Sequence, residues 1–325
     1  MSADVFIVDD EVTAHFVFTA FCLMIAVACL GIISNGINLA VFIKQGFKDT
    51  MNISLFSLAV CDLCSLLPLI WLGLVAEPQF FGPPVWYVGM EINFLTAGWP
   101  HTIFARLTSW ITAYVTLERC VCVATPLKVK LIFTPTRAKY SVIVIYILVL
   151  AGVIPTYATH SLAWRFFPNY NTTMLGLRLT DNAWDVTKIS NIFTNPLSAI
   201  TSFCVVLSCT AVIVCKLNEK TKWRKQTTSK RDDKKSVTRK ERKAVKMVTM
   251  LAVIFLISVT PSIILVIITD VTEDFSLTGK YRNMFFITYC VTFLLEAINS
   301  GSNFFVYYSM NTKYRRTLAQ MVGTK

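Results

Sequence analysis

Residues 115–130 read VTLERCVCVATPLKVK, and they mark the place where a long apolar segment ends in a charged pair and a basic loop. Glu118 and Arg119 stand side by side at this point. An Arg at the edge of a membrane ordinarily keeps its stem in lipid and its charge in water. The alternative is a switch, in which Glu118 and Arg119 pair locally at rest and change partners when a neighbouring helix moves.

The composition of the chain is that of a membrane protein. Over 325 residues it is 54% hydrophobic and 15% charged, against ~25% charged residues in soluble domains. A helix needs ~20 mostly apolar residues to cross a bilayer core, and backbone groups in lipid must bond within the helix. The sequence therefore predicts an all-α integral membrane protein, a seven-helix bundle. The predicted spans are residues 16–43, 52–76, 92–117, 140–160, 190–215, 244–269 and 284–309.

The distribution of charge predicts the orientation. Most of the 31 Lys and Arg residues lie on the side of the C-terminus, with a dense run at 216–246. By the positive-inside rule this side is cytoplasmic and the N-terminus is extracellular. The predicted parts are an extracellular N-terminus (1–15), a seven-span domain (16–309) with a basic intracellular loop (216–246), and an amphipathic helix with a cytoplasmic tail (310–325).

The same charge pattern limits the partners. The net charge of +12 reflects topology, because nucleic-acid binding would need a soluble basic face. The basic loop is a solvated, inside-positive segment that can also bind anionic lipid heads. The first 15 residues lack a basic start and a small-residue cleavage site, which argues against a cleaved signal peptide.

Sequons and cysteines give two further expectations. Asn171-Thr172-Thr173 lies in a predicted outside loop, so Asn171 is a candidate glycosylation site, whereas Asn52 lies at the cytoplasmic start of a span and should stay unmodified. Most of the ten cysteines fall within spans, where Cys behaves as a small apolar residue. The Cys pairs lack nearby His partners, so no metal site is expected.

Three charged residues within the spans each need a partner or a function. Asp62, Arg106 and Glu296 would each cost ~2.5–3.5 kcal/mol at the centre of a membrane helix. In the seventh span, polar residues recur at helical spacing and form one stripe that must face inward, toward Asp62 and Asn35. This stripe comprises Glu296, Asn299, Asn303 and Tyr307. It predicts either a path for protons or ions or a hinge whose bonds rearrange.

The third span connects the two membrane edges. His101 precedes Arg119 by 18 residues, which is five helical turns and ~27 Å. A ligand from outside could meet His101 and Glu296, while Arg119 can meet only a cytoplasmic partner. Arg106 points toward other neighbours, and it either contacts ligand or pairs with Glu296.

Motifs in order along the chain resemble those of rhodopsin-family (class A) G-protein-coupled receptors. Glu118-Arg119-Cys120 is similar to the Asp/Glu-Arg-Tyr/Cys element that ends their third helix. Asn35 is similar to the first-helix asparagine, and NISLFSLAVCD, ending in Asp62, to the family's Asn-Leu-Ala-x-x-Asp. NSGSNFFVYY at 299–308 resembles Asn-Pro-x-x-Tyr, and YSMNTKYRRTL resembles the amphipathic eighth helix, with Tyr314 as its anchor.

The resemblance implies roles by position. Glu118, Arg119 and Cys120 would form the G-protein switch, toward which Tyr307 would swing on activation. A polar centre, which in many relatives holds a sodium ion, would comprise Asn35, Asp62, Asn299, Ser300 and Asn303. No other cofactor is implied, and no covalent chemistry on the ligand.

Departures from the family pattern qualify these roles. Phe304 replaces the proline of Asn-Pro-x-x-Tyr and removes a backbone kink. Val259 replaces the tryptophan of the sixth helix. Phe94 stands where the family has a cysteine, so the common extracellular disulfide is absent, and the second extracellular loop should rest on its aromatic residues. These are Trp164, Phe166, Phe167, Tyr170 and Trp184.

The sequence thus predicts a plasma-membrane receptor that couples an extracellular ligand to a heterotrimeric G protein. Its sequence around Glu118-Arg119-Cys120 resembles that of invertebrate chemosensory and FMRFamide-type peptide receptors, so the ligand would be a peptide or a small molecule. His101 offers no fixed negative charge for an amine. The candidate ligand residues are His101, Phe104, Arg106, Tyr289 and Glu296. A proton- or ion-coupled transporter is the alternative that the buried charges leave open.

Overall fold

The chain is described by a computed structural model over residues 8–81, 86–126, 129–168, 171–226, 234–276 and 279–323. Side chains at 76–81, 130, 220–226 and 234–242 fall outside this description. Among the predicted features, parts of the basic loop and Tyr170 of the aromatic set therefore lie outside the described residues, as does Lys325.

Long helices follow one another along the chain. Helix α1 spans Asp10–Gln45, α2 Thr50–Phe81, α3 Gly89–Asn93, α4 Trp99–Ala124, α5 Val129–Ile132 and α6 Pro135–Thr159. They continue as α7 Ala183–Ile192, α8 Ser198–Gln226, α9 Lys234–Val271, α10 Arg282–Met310 and α11 Thr312–Val322. A π-helical turn, Phe94–Gly98, joins α3 to α4, and a second, Phe193–Leu197, joins α7 to α8.

Local chemistry determines several helix ends. The Asp9 carboxylate caps α1 by accepting from the Glu11 amide, and the Asn311 side chain caps α11 by accepting from the Lys313 and Tyr314 amides. These bonds satisfy amides that have no partner within the helix. Gly46 ends α1 at a φ of 75°, which glycine adopts without steric strain. Helix α10 runs unbroken through Phe304, as expected where the family's proline is missing.

Six of the described helical segments are long and apolar enough to cross a membrane. The remaining predicted span, α4, falls outside that set. It packs against α2, α6, α8 and α9, and most of its side chains are buried. Because protein rather than lipid surrounds it, α4 can carry polar and charged residues. The helical membrane fold is confirmed, and α4 is its central helix.

A close approach of two helices brings polar groups together near the centre of the bundle. Gly31 of α1 and Gly301 of α10 face each other, and a Cβ added at Gly31 would lie 3.4 Å from the Gly301 Cα. The same Cβ would lie 2.6 Å from a methyl carbon of Leu66. Small residues allow membrane helices to approach this closely. The approach positions α10 so that its polar stripe faces α1 and α2.

One segment differs from the all-helical expectation. Strands β1 (His160–Phe167) and β2 (Thr172–Leu179) form an antiparallel hairpin that pairs His160 with Leu179 and Phe167 with Thr172. Backbone bonds attach β2 to the segment before α3: the Leu175 amide donates to Trp86 O and the Val88 amide to Leu175 O, each at 2.9 Å.

The aromatic side chains expected to support this loop contribute less than its polar contacts. Trp164, Phe166 and Trp184 are exposed, although the Trp164 ring contacts Trp86 at 5.8 Å between centroids. The Glu91 carboxylate accepts from Arg165 Nη2 at 2.7 Å and from the Leu177 amide at 2.5 Å. Backbone pairing, one carboxylate and this ring contact therefore hold the loop.

Candidate functional site

An aromatic cavity of about 360 Å³ opens between α1, α2, α4, α10 and the segment leading into α8. Its volume is within the range of small-molecule sites. Six aromatic side chains contribute to its wall: Phe21, Phe94, Trp99, Phe285, Phe286 and Tyr289. Within the described wall there is no Lys, Arg, His, Asp or Glu. The cavity therefore offers aromatic surface and neutral polar groups.

Ring contacts connect this cavity to a histidine below it. Tyr289 of the wall has its ring centroid 4.1 Å from that of Phe293, and the Phe293 centroid lies 4.4 Å from that of His101. All three side chains are packed within the bundle. The rings of Tyr289, Phe293 and His101 therefore form a continuous series of contacts.

His101 belongs to a buried acid–base cluster formed with Ser65, Arg106, Ser262 and Glu296. His101 Nδ1 lies 2.9 Å from the Ser65 carbonyl oxygen, and its Nε2 lies 3.0 Å from Glu296 Oε2. Ser262 of α9 donates to Glu296 Oε1 at 2.6 Å. Arg106 Nη2 lies 4.0 Å from the same oxygen. The Glu296 carboxylate of α10 therefore connects to α4 and α9, and His101 extends the cluster to α2.

Arg106 is only partly satisfied in this cluster. It is 5% exposed, and its Nε and Nη1 atoms have no hydrogen-bond partner. A buried, uncompensated cation is costly, so the nearby Glu296 carboxylate is essential to its stability. The sequence left open whether Arg106 contacts ligand or pairs with Glu296. In the structure the Arg106 guanidinium faces Glu296.

Asp62 lies at the next level of the bundle and is fully buried. Its Oδ1 accepts from Thr108 Oγ1 at 2.9 Å and its Oδ2 from Asn303 Nδ2 at 2.6 Å. Ser65, Asn299 and Ser300 line a small cavity of about 10 Å³, room for about one water-sized particle. His101 and Glu296 also belong to the described wall of this cavity, and Asp62 does not. Carboxylate, hydroxyl and amide oxygens are of the type that hard cations prefer, so the donor types around Asp62 suit the sodium ion that the resemblance implies, although both Asp62 oxygens already accept hydrogen bonds.

A chain of amides extends from this centre to α11. Asn35 Nδ2 donates to Ser300 O at 2.9 Å, and Asn38 Nδ2 donates to Asn35 Oδ1 at 3.2 Å. Tyr314 OH then donates to Asn38 Oδ1 at 2.7 Å. Tyr314 is fully buried. The amphipathic helix α11 is thus attached to α1 through a buried hydrogen bond.

The Glu118–Arg119 pair lies at the far end of α4. Arg119 Nη2 and Thr50 Oγ1 both donate to Glu118 Oε1 at 2.5 Å. Glu118 is 1% exposed, and its Oε2, like Arg119 Nε, has no partner. The Glu118 side chain is therefore shielded from water, Arg119 is partly buried, and each retains one unpaired polar atom. Cys120 packs beside it on a cluster of Val123, Ile213 and Val245 from α4, α8 and α9.

Tyr307 is placed apart from this pair. Its ring packs on Phe42 at 5.4 Å and on Tyr314 at 5.8 Å between centroids. Its hydroxyl is buried without a partner. An unpaired buried hydroxyl destabilises its position, so Tyr307 would gain a bond by moving to a polar partner.

The structure separates the five predicted ligand residues. Tyr289 lies in the cavity wall, whereas His101 and Glu296 line the small central cavity. Arg106 is buried in the acid–base cluster, and Phe104 packs against the main hydrophobic core. The predicted glycosylation residue Asn171 is exposed in the turn between β1 and β2, at a φ of 47°. Asn52 is buried and donates to Phe42 O at 3.0 Å.

Several residues of the site were not predicted. Thr108 lies two residues after Arg106, so its proximity to a charged residue was a usable signal, whereas Ser262 follows Pro261 in an apolar stretch that gives no such signal. Thr50 carries no such signal, because it is 68 residues from Glu118. Asn93 and Trp99 of the cavity wall lie on either side of the π-helical turn. Helix propensities do not predict such a turn.

The family model for the serpentine type 7TM GPCR chemoreceptor Srw matches residues 22–325. The chain belongs to this family. This family consists of multi-pass membrane receptors that are not enzymes. The resemblance stated from the Glu118-Arg119-Cys120 region and its neighbouring motifs is thereby confirmed.

Two curated receptors are similar to this Srw receptor. The FMRFamide receptor of Drosophila melanogaster is 25% identical over 297 residues, which are 89% of this chain and 51% of the relative. The neuromedin-U receptor 2 of Homo sapiens is 30% identical over 165 residues, 48% of this chain and 37% of the relative. The chain spans about half the length of the first and just over a third of the second.

Proposed function

We propose that this chain is a plasma-membrane receptor with an extracellular N-terminus. A ligand, either a peptide or a chemosensory small molecule, enters the aromatic cavity and activates a heterotrimeric G protein on the cytoplasmic side. One observation carries the proposal: a continuous path of contacts runs from Tyr289 in the cavity wall to Ser262 on α9.

The first half of the mechanism is mechanical. A ligand that packs on Tyr289 displaces Phe293 and, through it, His101. His101 and Ser262 hold the two oxygens of the Glu296 carboxylate, so a shift of His101 alters the bonds between α10 and α9. Arg106 is the group positioned to take over the carboxylate, because its Nη1 and Nε have no partner at rest. Ligand binding favours the active state only through such differential contacts.

The second half lies at the Glu118–Arg119 pair. Val245 of α9 packs with Val123 and Ile213 beside Cys120, so an outward movement of α9 would open this cluster. Arg119 would then be free to leave Glu118 for the G protein. Tyr307 would gain a partner by moving from its apolar packing toward Arg119. A sodium ion at Asp62, when bound, would supply positive charge that stabilises the resting centre.

Charge distribution supports the proposed orientation. The basic segments at 216–226 and 234–246 lie at the same end of the chain's helices as Arg119, and the rule for basic residues places this end in the cytoplasm. The same segments would contact anionic lipid heads. The transporter alternative has no support in the family match, which covers receptors.

The test is a G-protein activation assay in cells that express a promiscuous Gα subunit. Pools of peptides and of small metabolites are applied separately to the wild type and to Arg119→Ala. We expect one pool to activate the wild type and the Arg119→Ala variant to lose that response at equal surface level. The active pool then identifies the ligand class.

Lys44→Ala is the matched control, because Lys44 is an exposed cation near the same membrane edge at the end of α1. It should keep the wild-type response. A ligand response that survives in Arg119→Ala would contradict the proposed role of the pair. Ligand-dependent uptake of solute without G-protein activation would instead favour the transporter.

A further inference from the structure

The buried charged groups beneath the aromatic cavity are engaged with one another. Glu296 is held by His101 and Ser262, with Arg106 beside it. His101, Arg106 and Glu296 lie outside the described wall of the cavity, and so does Arg282, whose guanidinium lies 5.3 Å from the ring centroid of the wall residue Phe286. An ionic ligand in the cavity would therefore lose its hydration without gaining a counter-charge from the described wall, which is strongly unfavourable.

Two wall residues have polar atoms that lack partners. Trp99 Nε1 is a buried donor and Asn93 Oδ1 a buried acceptor, each without a hydrogen bond in the described structure. Both residues are 6% exposed. The other end of the Asn93 amide donates to Leu72 O at 3.3 Å, which fixes its orientation. Buried polar groups are normally paired, so an unpaired donor and acceptor in one cavity wall indicate a missing partner.

The local backbone brings these two residues to the same wall. Asn93 ends α3 and Trp99 begins α4, and the π-helical turn Phe94–Gly98 lies between them. The Trp99 amide donates to Phe94 O, the five-residue spacing of a π-helix. Such turns within helices are frequent at functional sites. The Phe94 ring contacts Trp99 at 6.2 Å between centroids, which holds the indole in place.

We infer that the aromatic cavity binds a neutral, mainly apolar small molecule that carries one amide or hydroxyl group. The apolar body packs on the aromatic wall, and the polar group accepts from Trp99 Nε1 and donates to Asn93 Oδ1. Amides and hydroxyls both donate and accept, so either can satisfy the two atoms. This inference rests on the proposed function, and it selects the small-molecule class over charged peptides, amines and amino acids.

The first test uses matched probes on the purified full-length chain in detergent. The pairs are 2-phenylethanol with 2-phenylethylammonium, and benzamide with benzoate, which differ mainly in charge. Thermal unfolding reports binding, because a ligand that binds only the folded state raises the midpoint. We expect the neutral member of each pair to raise the midpoint and the charged member to leave it unchanged. Equal shifts within the pairs, or no shift with either neutral probe, would overturn the inference.

The second test uses variants of the wall. Trp99→Phe keeps an aromatic ring but removes the N–H donor, and it should weaken the neutral probes about three- to tenfold, the value of one net hydrogen bond. Asn93→Ala provides a second variant with the same expectation. Trp110→Phe is the control, because the Trp110 indole donates to Ser198 at 2.8 Å away from the cavity. Unchanged probe affinity in both wall variants would contradict the assigned anchor.

The outcomes separate this inference from the proposed function. If neutral probes stabilise the chain in a Trp99-dependent way while neither pool evokes an Arg119-dependent G-protein response, the function is contradicted and the binding site is left intact. A response that needs Arg119, is evoked only by a charged ligand and is unchanged in Trp99→Phe would overturn the inference and leave the function intact.

Discussion

At the scale of single residues, one carboxylate holds the upper half of the bundle together. Glu296 receives a bond from Ser262 of α9, pairs with His101 of α4 and faces the Arg106 guanidinium. Each of these groups would be costly to bury alone. The cluster is stable because the charges compensate one another, and it can rearrange because Arg106 has unused donors.

Glu296→Gln should therefore lower the stability of the resting bundle. The amide keeps the size of the side chain and can bond to Ser262, but it leaves Arg106 as an uncompensated buried cation. Removal of one partner from a buried pair costs on the order of 3 kcal/mol. The expected result is a lower midpoint of thermal unfolding for the purified chain in detergent.

Glu273→Gln provides the matched control, since Glu273 is exposed in the loop between α9 and α10. The same chemical change at that position should leave the unfolding midpoint close to the wild-type value. Equal midpoints for Glu296→Gln and the wild type would show that the carboxylate charge does not stabilise the cluster.

At the scale of elements, the β1–β2 hairpin is held by hydrogen bonds in a region where the family usually has a disulfide and this chain has none. Glu91 of α3 accepts one bond from the Arg165 side chain of β1 and one from the Leu177 backbone of β2. A single carboxylate thus crosslinks both strands to the segment that also forms the cavity wall. The position of the hairpin and the shape of the aromatic cavity are therefore linked.

Glu91→Gln should loosen the hairpin without unfolding the bundle. The Leu177 bond loses its ionic character and the Arg165 pair is lost, although that pair is partly exposed and contributes only about 0.2–1 kcal/mol. Hydrogen exchange at residues 172–179 should become roughly tenfold faster, while exchange in α4 stays unchanged. Arg165→Gln removes only the side-chain pair, so it should have the smaller effect; a larger effect than Glu91→Gln would contradict the assigned Leu177 bond.

At the scale of the whole molecule, every proposed role depends on the orientation of the chain in the membrane. The aromatic cavity must open to the outside for a ligand to enter it, and Arg119 must face the cytoplasm. Asn171 reports on this orientation because it is exposed in the hairpin turn, on the side of the predicted extracellular loop. An Asn in a left-handed backbone conformation is well tolerated at such a turn.

We expect Asn171 to carry an N-linked glycan when the chain is made in eukaryotic cells. Asn171→Gln should run faster on a denaturing gel, and a glycosidase should shift the wild type to the same position. Asn52→Gln is the control sequon, and it should cause no glycan-dependent shift, because Asn52 is buried against Phe42 and Gly46. A glycan on Asn52 and none on Asn171 would reverse the proposed topology.

Sequence patterns alone determined the membrane class, the helical fold and the family. Apolar segments of membrane length, the run of basic residues and the Glu118-Arg119-Cys120 region are local signals, because each depends on residues close together in the chain. The inward stripe of α10 was also predictable, since helical spacing places Glu296, Asn299 and Asn303 on one face. The structure brings Asn303 to Asp62, as that spacing suggested.

Only the tertiary structure decided which polar groups meet. Glu118 bonds to Thr50, His101 to the Ser65 carbonyl, and Glu91 to Leu177, pairs separated by 68, 36 and 86 residues. No local pattern encodes such contacts, because they depend on how whole helices pack and on where the π-helical turn rotates α4. For the same reason the sequence left open whether Arg106 and Glu296 contact ligand or each other, whereas packing brings Arg106 Nη2 to 4.0 Å from Glu296 Oε1.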